Sequence, residues 1–390
     1  MTTNPLRQLP GQGQSAWLDE LTRDWLADGR LAEMIEADGL RGVTSNPSIF
    51  QQAIAASSAY DAQLRRLAAR GLDAGAIYDA LTLDDIRAAC DVFLPLYQST
   101  DGRDGLVSHE VSPDLAHDTW GTIREARRLW EAIGRPNAMI KIPATLEGLP
   151  AIQQCLEDGI NVNVTLMFSL AHYDAVAEVY LRAMEARLAA GLPLDRIASV
   201  ASFFVSRVDT HVDALLDARM QASGDPTETR RMRQLRGTAA VANAKRAYRR
   251  YREVFSGARY AALERHGAPT QRVLWASTSS KDPAFRDVKY VEELIGPHTV
   301  NTLPLATVVA FRDHGRVEPT LTRDLPAADA AVSGLGALGI DLGEVGEVLL
   351  RQGVARFAAA LGGMLETLEA RRVQVLADAS RPPAAERASG

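Results

Sequence analysis

Eight short apolar runs alternate with longer segments of helical character, and this order constrains the fold more than any other feature of the sequence. The runs span residues 15–19, 42–47, 106–111, 138–143, 161–168, 198–205, 272–278 and 298–304. Strands that alternate with helices pair in parallel through right-handed crossovers. Eight such strands predict a closed (β/α)8 barrel, and 390 residues are enough for a barrel that carries additional helices.

Polar residues within the strands favour a closed barrel over an open sheet. Strands of an open parallel sheet are covered on both faces and are therefore apolar throughout. In three of the runs, polar side chains instead recur on one face. The residues sharing such a face are Asn161, Asn163 and Thr165; Ser202 and Phe204; and Trp275, Ser277 and Ser279. In a barrel this face lines the lumen, and its polar ends meet at the carboxyl-terminal rim, where barrel active sites lie.

Long connections and a C-terminal segment extend the barrel. Residues 48–105 are expected to hold two or three helices, and 206–271 include a polar, turn-rich passage at 221–237. From about residue 341 to 375 the apolar residues follow helical periodicity, although glycines within the segment weaken a helix. We expect one domain, with these helices included, over residues 1–379, and a disordered tail at 380–390.

Composition argues against several classes of partner. A net charge of −6 and a pI near 5.7 disfavour nucleic acid and anionic membranes. No run of 18 apolar residues and no N-terminal secretory signal are present, so we expect a cytoplasmic protein without a membrane span. Cys90 and Cys155 lie in helix-like segments and are expected to be reduced thiols. The seven histidines show no metal-ligand spacing, so no metal or other cofactor is expected.

A lysine stands inside the apolar run "NAMIKIPAT" (137–145). Lys141 alternates with flanking isoleucines, which places it on the lumen face of its strand. A lysine chosen at random would reach solvent at the strand end. Partial burial would favour the neutral amine, which is the form that attacks a carbonyl carbon to make a Schiff base.

Other strands supply candidate partners, each with a structural alternative. Glu110 in "LVSHEV" can act as an acid or base beside Lys141, or form a structural salt bridge. His109 has the opposite parity and is expected to pack in the core. Asp19 could instead cap a helix, and Asn46 could start a turn before Pro47. Asn163 and Thr165 could simply fill the lumen.

Five motifs, in this order, resemble the transaldolase family. They are "GVTSNPSIF", "VSHEVSP", "MIKIPAT", "INVNVTLMFS" and "SFFVSRVD", and the resemblance spans about residues 15–310. The segment 274–304 is similar to the longer bacterial branch of the family. The resemblance implies a barrel of the Schiff-base aldolase superfamily. It also implies a transferase that moves a dihydroxyacetone unit between sugar phosphates in the non-oxidative pentose phosphate pathway, as a monomer or homodimer.

The resemblance also implies roles for individual residues. Lys141 would be the Schiff-base nucleophile, and Glu110 would activate a water that Thr165 helps to hold. Asp19 would be the base on the C4 hydroxyl of the donor. Hydrogen bonds to the covalent intermediate and the shape of the pocket would come from Asn46, Asn163, Ser202 and Phe204.

The substrate phosphate would be bound by Arg207 and Ser277. A surface salt bridge, perhaps with Asp209, is the structural alternative for Arg207. The better-known branch of the family has a second phosphate arginine where this chain has Ser279, and Lys281 is a candidate replacement. Two rivals remain: an aldolase that releases free dihydroxyacetone, and a non-catalytic barrel that binds sugar phosphates. The related aldolases are shorter and tend to carry a tyrosine near the proton-relay position, which favours transaldolase here.

Overall fold

A closed barrel of eight parallel strands forms the centre of the computed structural model, which describes residues 4–380. Each strand pairs with the next along the chain, and the last pairs with the first. The strands are β1 (Gln14–Leu18), β2 (Gly42–Thr44), β3 (Leu106–Glu110), β4 (Ala138–Pro143), β5 (Val162–Met167), β6 (Ser199–Phe204), β7 (Arg272–Ala276) and β8 (Thr299–Leu303). The predicted (β/α)8 barrel is thus confirmed, with every strand inside or overlapping its predicted run.

Helices surround the barrel and fill both long connections. They are α1 (Arg23–Ala27), α2 (Arg30–Asp38), α3 (Pro47–Ala56), α4 (Asp61–Ala69), α5 (Ala74–Ser99), α6 (Thr119–Ile133), α7 (Gly148–Glu157), α8 (Leu170–Ala189), α9 (Ser206–Ala222), α10 (Pro226–Leu235), α11 (Ala239–Phe255), α12 (Ala258–Glu264), α13 (Lys289–Glu292), α14 (Leu305–His314), α15 (Leu325–Ala337) and α16 (Leu342–Ser380). The first connection holds α3, α4 and α5, as predicted. The passage predicted to be turn-rich at 221–237 contains α10, which Asp225 caps through the Thr227 amide. Apart from Ser380, the tail predicted at 380–390 lies outside the described residues.

An ion-pair network closes the amino-terminal end of the lumen. Asp104, just before β3, accepts hydrogen bonds from Ser15 at 2.7 Å and Arg41 at 2.6 Å, and it pairs with Arg272 at 3.2 Å. Burial alone would raise the pKa of Asp104, but the two arginines lower it below its ordinary value. Because this end is filled, the lumen opens only toward the carboxyl-terminal rim.

The predicted alternation fails at two places near that rim. The register pairs Ser202 with Leu274 and Phe203 with Trp275, so Trp275 faces the helices and packs edge-on against Phe203. Its predicted lumen position is therefore wrong. In β5 the register shifts between Val164 and Met167, and Leu166 has a φ of 61°. This irregularity interrupts the alternation of β5 directly after Thr165, because bulges redirect a side chain.

Helix α16 confirms the predicted C-terminal helix and crosses the mouth of the barrel. It packs against α3, α4, α5, α9 and β5. Two glycines allow the close approach: a Cβ on Gly346 would lie 2.8 Å from the Ser169 Cβ, and one on Gly353 would lie 2.8 Å from Leu166 Cδ2. By length and composition alone α16 could cross a membrane. Core helices of soluble proteins share that property, and Met364 and Leu368 are fully buried in this packing.

Two glycine substitutions in α16 should change stability in opposite directions. Glycine costs about 1 kcal/mol relative to alanine in a helix interior. A Cβ on Gly362 meets nothing within 4 Å, so Gly362→Ala should raise the free energy of unfolding by about that amount. At Gly346 the clash with Ser169 should outweigh this gain, and Gly346→Ala should lower the free energy of unfolding by about 1 kcal/mol. Urea denaturation of both variants measures the difference, and a gain at Gly346 would contradict the observed packing.

Candidate active site

A cavity of about 640 Å³ opens at the carboxyl-terminal rim of the barrel. Most of the residues predicted from the sequence line it: Asp19, Asn46, Lys141, Thr165, Ser202, Phe204, Arg207 and Ser277. Glu110 and Asn163 lie outside its lining, and each contacts a residue that belongs to it. The strand ends thus bring together side chains that are far apart in the chain.

Lys141 is held by a buried ion pair. The β3–β4 register places Glu110 beside Lys141, and Glu110 Oε2 lies 3.3 Å from Lys141 Nζ. The two side chains are only 5% and 4% exposed. Nζ also donates a hydrogen bond to the Ser45 carbonyl oxygen at 3.2 Å. Lys141 therefore does not reach solvent at the strand end, and its amine is fixed at the edge of the cavity.

Two buried oxygens beside this pair have no hydrogen-bond partner among residues 4–380. They are Glu110 Oε2, which contacts Nζ without hydrogen-bond geometry, and Thr165 Oγ1. Unpartnered buried oxygens are costly, so such atoms are suited to bind a water or a substrate hydroxyl. Burial raises the pKa of Glu110, and the positive charge of Lys141 partly offsets this effect. A carboxyl group whose pKa lies nearer neutrality can both accept and donate a proton.

Asp19 follows β1 and faces the same cavity. It does not cap the next helix, because Thr22 caps α1 through the Trp25 amide. Thr44 donates a hydrogen bond to Asp19 Oδ1 at 2.6 Å, and the Thr302 hydroxyl lies 2.7 Å from that of Thr44. Desolvation raises the pKa of Asp19, while Lys141 and the Thr44 hydrogen bond lower it. Asp19 is thus fixed at the cavity by a hydrogen bond, with a pKa above its ordinary value.

Asn46 and Asn163 differ in their hydrogen bonds. Asn46 lines the cavity and also caps α3 by accepting a hydrogen bond from the Ile49 amide at 3.1 Å, so its structural alternative is realised as well. Asn163 donates to Ser108 Oγ at 3.0 Å and accepts from Ser202 Oγ at 2.6 Å. Asn163 is thereby fixed within the lumen, and it orients Ser202 at the floor of the cavity.

Arg207 and Ser277 meet at the start of α9. Arg207 lies in the first turn of α9 and stacks over the Phe204 ring at 5.1 Å, and within the described residues it has no salt bridge with Asp209. Ser277 has a φ of 55°, in the left-handed region that non-glycine residues rarely adopt. Its hydroxyl lies 3.0 Å from that of Ser206. The turn after β7 thus brings Ser277 into the cavity even though the alternation predicted for β7 is wrong.

Several cavity residues were not predicted from the sequence. Thr44 donates a hydrogen bond to Asp19, and Thr302 contacts the Thr44 hydroxyl. Helix α16 contributes Leu349, Gln352, Arg356 and Phe357 to the lining. The Phe357 ring centre lies 5.8 Å from Lys141 Nζ. The spacing of apolar residues such as Leu349 and Phe357 predicted the helix α16 with an apolar face. No local feature of the sequence indicated which surface that face would cover.

His109 and the cysteines remain outside the site. Burial lowers the pKa of His109 to about 4, and its ring packs edge-on against Phe50 at 5.8 Å, as expected for a core histidine. Cys90 and Cys155 are buried free thiols in α5 and α7. Within residues 4–380, no three His, Cys, Asp or Glu side chains are grouped so that they could hold a metal ion.

Sequence comparison identifies the family of the chain. A sequence model of the transaldolase/fructose-6-phosphate aldolase family matches residues 16–368. The chain belongs to this family. The match ends at residue 368, within α16 and beyond the region from which the resemblance was first drawn, and the family expected from the five motifs is confirmed.

Curated relatives support the same assignment over nearly the whole chain. A protein named transaldolase from Mycobacterium tuberculosis (strain H37Rv) is 49% identical over 370 residues, covering 94% of this chain and 97% of the relative. One from Acidothermus cellulolyticus is 50% identical, covering 92% and 94%. A third, from Trichodesmium erythraeum, is 44% identical, covering 95% and 98%. The chain therefore covers nearly the whole length of each of these relatives.

The hydrogen bond from Thr44 to Asp19 should set part of the pH dependence of this transaldolase-family site. If ionised Asp19 is the base, the acid limb of kcat/KM follows its pKa. Thr44→Val removes a hydrogen bond that stabilises the carboxylate, so the pKa of Asp19 should rise and the acid limb should move to higher pH. Thr44→Ser keeps the hydroxyl and should retain the original limb. A profile unchanged by Thr44→Val would separate the acid limb from Asp19.

Proposed function

We propose that the chain is a transaldolase that transfers a dihydroxyacetone unit through a Schiff base on Lys141. In this reaction sedoheptulose 7-phosphate and glyceraldehyde 3-phosphate exchange to give erythrose 4-phosphate and fructose 6-phosphate. The observation that carries the proposal is the arrangement of Lys141 beside Glu110 at the edge of a cavity that also contains Asp19. The family match and the relatives named transaldolase support it.

The first half of the reaction forms the covalent intermediate. Glu110, through a water, accepts a proton from the Lys141 ammonium, and the neutral amine attacks the C2 carbonyl carbon of the donor to give a carbinolamine. Glu110, acting through a water held with Thr165, supplies the proton with which the C2 hydroxyl leaves as water. The unpartnered oxygens Glu110 Oε2 and Thr165 Oγ1 suit this role. The product is a protonated imine, which serves as the electron sink for the next step.

Cleavage and transfer then require a base at the C4 hydroxyl of the donor. Asp19 removes the proton of the C4 hydroxyl, the C3–C4 bond breaks, and its electron pair moves to C3 and the imine to form an enamine. The aldose phosphate leaves, and the enamine carbon attacks the aldehyde of the acceptor. Asp19 returns the proton to the new hydroxyl, and water then hydrolyses the imine, which releases the ketose phosphate and restores the Lys141 amine. Asn46, Asn163 and Ser202 would bind or orient the hydroxyls of the intermediate, and Arg207 with Ser277 would bind the phosphate.

Release of free dihydroxyacetone is the alternative outcome, since the family name covers both transaldolases and fructose-6-phosphate aldolases. The relatives matched over nearly all of their length carry the name transaldolase, which favours transfer. We place the enzyme in the cytoplasm, where the thiols of Cys90 and Cys155 stay reduced.

Borohydride trapping tests the Schiff base. After incubation with fructose 6-phosphate and reduction, mass spectrometry should find one three-carbon adduct on Lys141. Lys141→Ala should give none and should lose activity while its circular dichroism stays native. If Lys141→Ala fails to fold, the double variant Lys141→Met, Glu110→Gln removes both charges of the pair and repeats the test. An adduct on another lysine would overturn the assignment.

Acceptor dependence separates transfer from release. A transaldolase should turn over fructose 6-phosphate only after erythrose 4-phosphate is added, because the enamine waits for an acceptor. We expect a single burst of aldose product without acceptor and steady turnover with it. Steady formation of free dihydroxyacetone without acceptor would instead identify an aldolase.

Glu110→Gln should separate proton relay from structural pairing. Removal of a general acid–base typically costs about 10²–10⁴-fold in rate. We therefore expect slow trapping of the adduct on Lys141, with an unchanged final yield, because the amide conserves the shape of the carboxyl group. Time courses of borohydride reduction measure this directly. Wild-type rates in Glu110→Gln would reduce Glu110 to a structural partner of Lys141.

A further inference from the structure

Two arginines from distant parts of the chain reach the same cavity. Arg207 comes from the first turn of α9, and Arg356 comes from α16, where it directly precedes Phe357 over Lys141. Within residues 4–380 neither guanidinium has an ion pair or hydrogen bond, whereas arginines elsewhere on the surface are widely paired with carboxylates. Both therefore keep their donors available to a bound molecule.

The two guanidinium groups act on each other. Burial and, next in size, the positive charge of Arg356 lower the pKa of Arg207 to about 10. Two like charges held near each other raise the free energy of the empty site. A bound anion removes this repulsion, and a phosphate monoester, with a charge of about −1.5 to −2 at pH 7, matches two arginines.

Further hydrogen-bond donors lie near Arg207, at the start of α9. Helix α9 has no side-chain cap on its N-terminal amides, and Val205 occupies the cap position. Arg207 and Thr210 from its first turn line the cavity, so its positive helix end is directed at the bound molecule. Ser277 lies beside Ser206 at the start of this helix. Thr210, Ser277 and the two arginines all line this one cavity, and we call this set the anion-binding corner.

Lys281, the replacement considered from the sequence, is less suited to this corner. Its ammonium donates a hydrogen bond to Ser279 Oγ at 2.7 Å. Arg356, by contrast, is the cation whose charge acts on Arg207. A guanidinium can also bind two phosphate oxygens at once, which a lysine cannot.

We propose that Arg356, on the C-terminal helix, is the second phosphate-binding cation of the site and selects phosphorylated sugars together with Arg207. The inference rests on the proposed function, since it assumes sugar-phosphate substrates. It assigns the second cation, absent at Ser279, to a residue of α16 that lines the same cavity as Arg207. Arg356 is thus a specificity residue, with no part in forming or breaking the imine.

The test compares Arg356→Gln with Arg351→Gln, a matched loss of an arginine from the same helix at a position outside the cavity lining. Borohydride-trapped adduct on Lys141 is measured against the concentration of fructose 6-phosphate and, separately, of unphosphorylated fructose. We expect Arg356→Gln to raise the half-saturating concentration of fructose 6-phosphate roughly tenfold or more, as for loss of a charge-assisted hydrogen bond. The ratio between the two donors should fall toward one, and Arg356→Lys should restore part of it.

Each result has a distinct meaning. An Arg356→Gln variant that saturates like Arg351→Gln overturns the proposal. So does an equal loss for both donors, because that result indicates displacement of α16 rather than loss of a phosphate contact. A selective loss in Lys281→Gln but not in Arg356→Gln assigns the second cation to Lys281 instead. Failure of the wild-type protein to form an adduct with either donor contradicts the proposed function itself.

Discussion

The ion pair between Lys141 and Glu110 is the interaction on which the rest of the site depends. Removing two opposite charges from water costs several kcal/mol each, and their attraction offsets this only when the geometry is well fixed. The barrel provides that geometry, because the β3–β4 register places the two residues side by side. The Ser45 carbonyl oxygen accepts a hydrogen bond from the ammonium, and the Asp19 carboxyl group lines the same cavity. The Lys141 side chain is thus fixed among groups that can accept a hydrogen bond or a proton.

Much of this arrangement could be predicted from the sequence, because it depends on patterns among residues that are close together in the chain. Alternation along strands placed Lys141, Thr165 and Ser202 on the lumen face, and the order of strands and helices predicted the barrel. Prediction failed where backbone geometry departs from the regular pattern. Leu166 and Ser277 have positive φ, which cannot be read from the residue types. The register of β7 turns Trp275 toward the helices, where it packs against Phe203.

The part of the cavity lining that α16 contributes, which we call the roof, could not be predicted for a different reason. Helical periodicity gave the extent of α16, but which surface it covers is decided by contacts between residues far apart in the chain. Gly353 illustrates the point: in the sequence it weakened the helix prediction, and in the structure it admits the Leu166 side chain. Arg356 belongs to the same long-range contact, so its place beside Arg207 became visible only in three dimensions.

Because α16 crosses the barrel mouth, the site is built from two kinds of element: strand ends and one helix. The residues that would make and break bonds stand on strand ends, where a change in one disturbs the register of its neighbours. The roof is a single helix that touches β5 where Gly353 meets Leu166. Its cavity-facing side chains, such as Gln352 and Arg356, can be exchanged without altering the residues that stand on the strand ends.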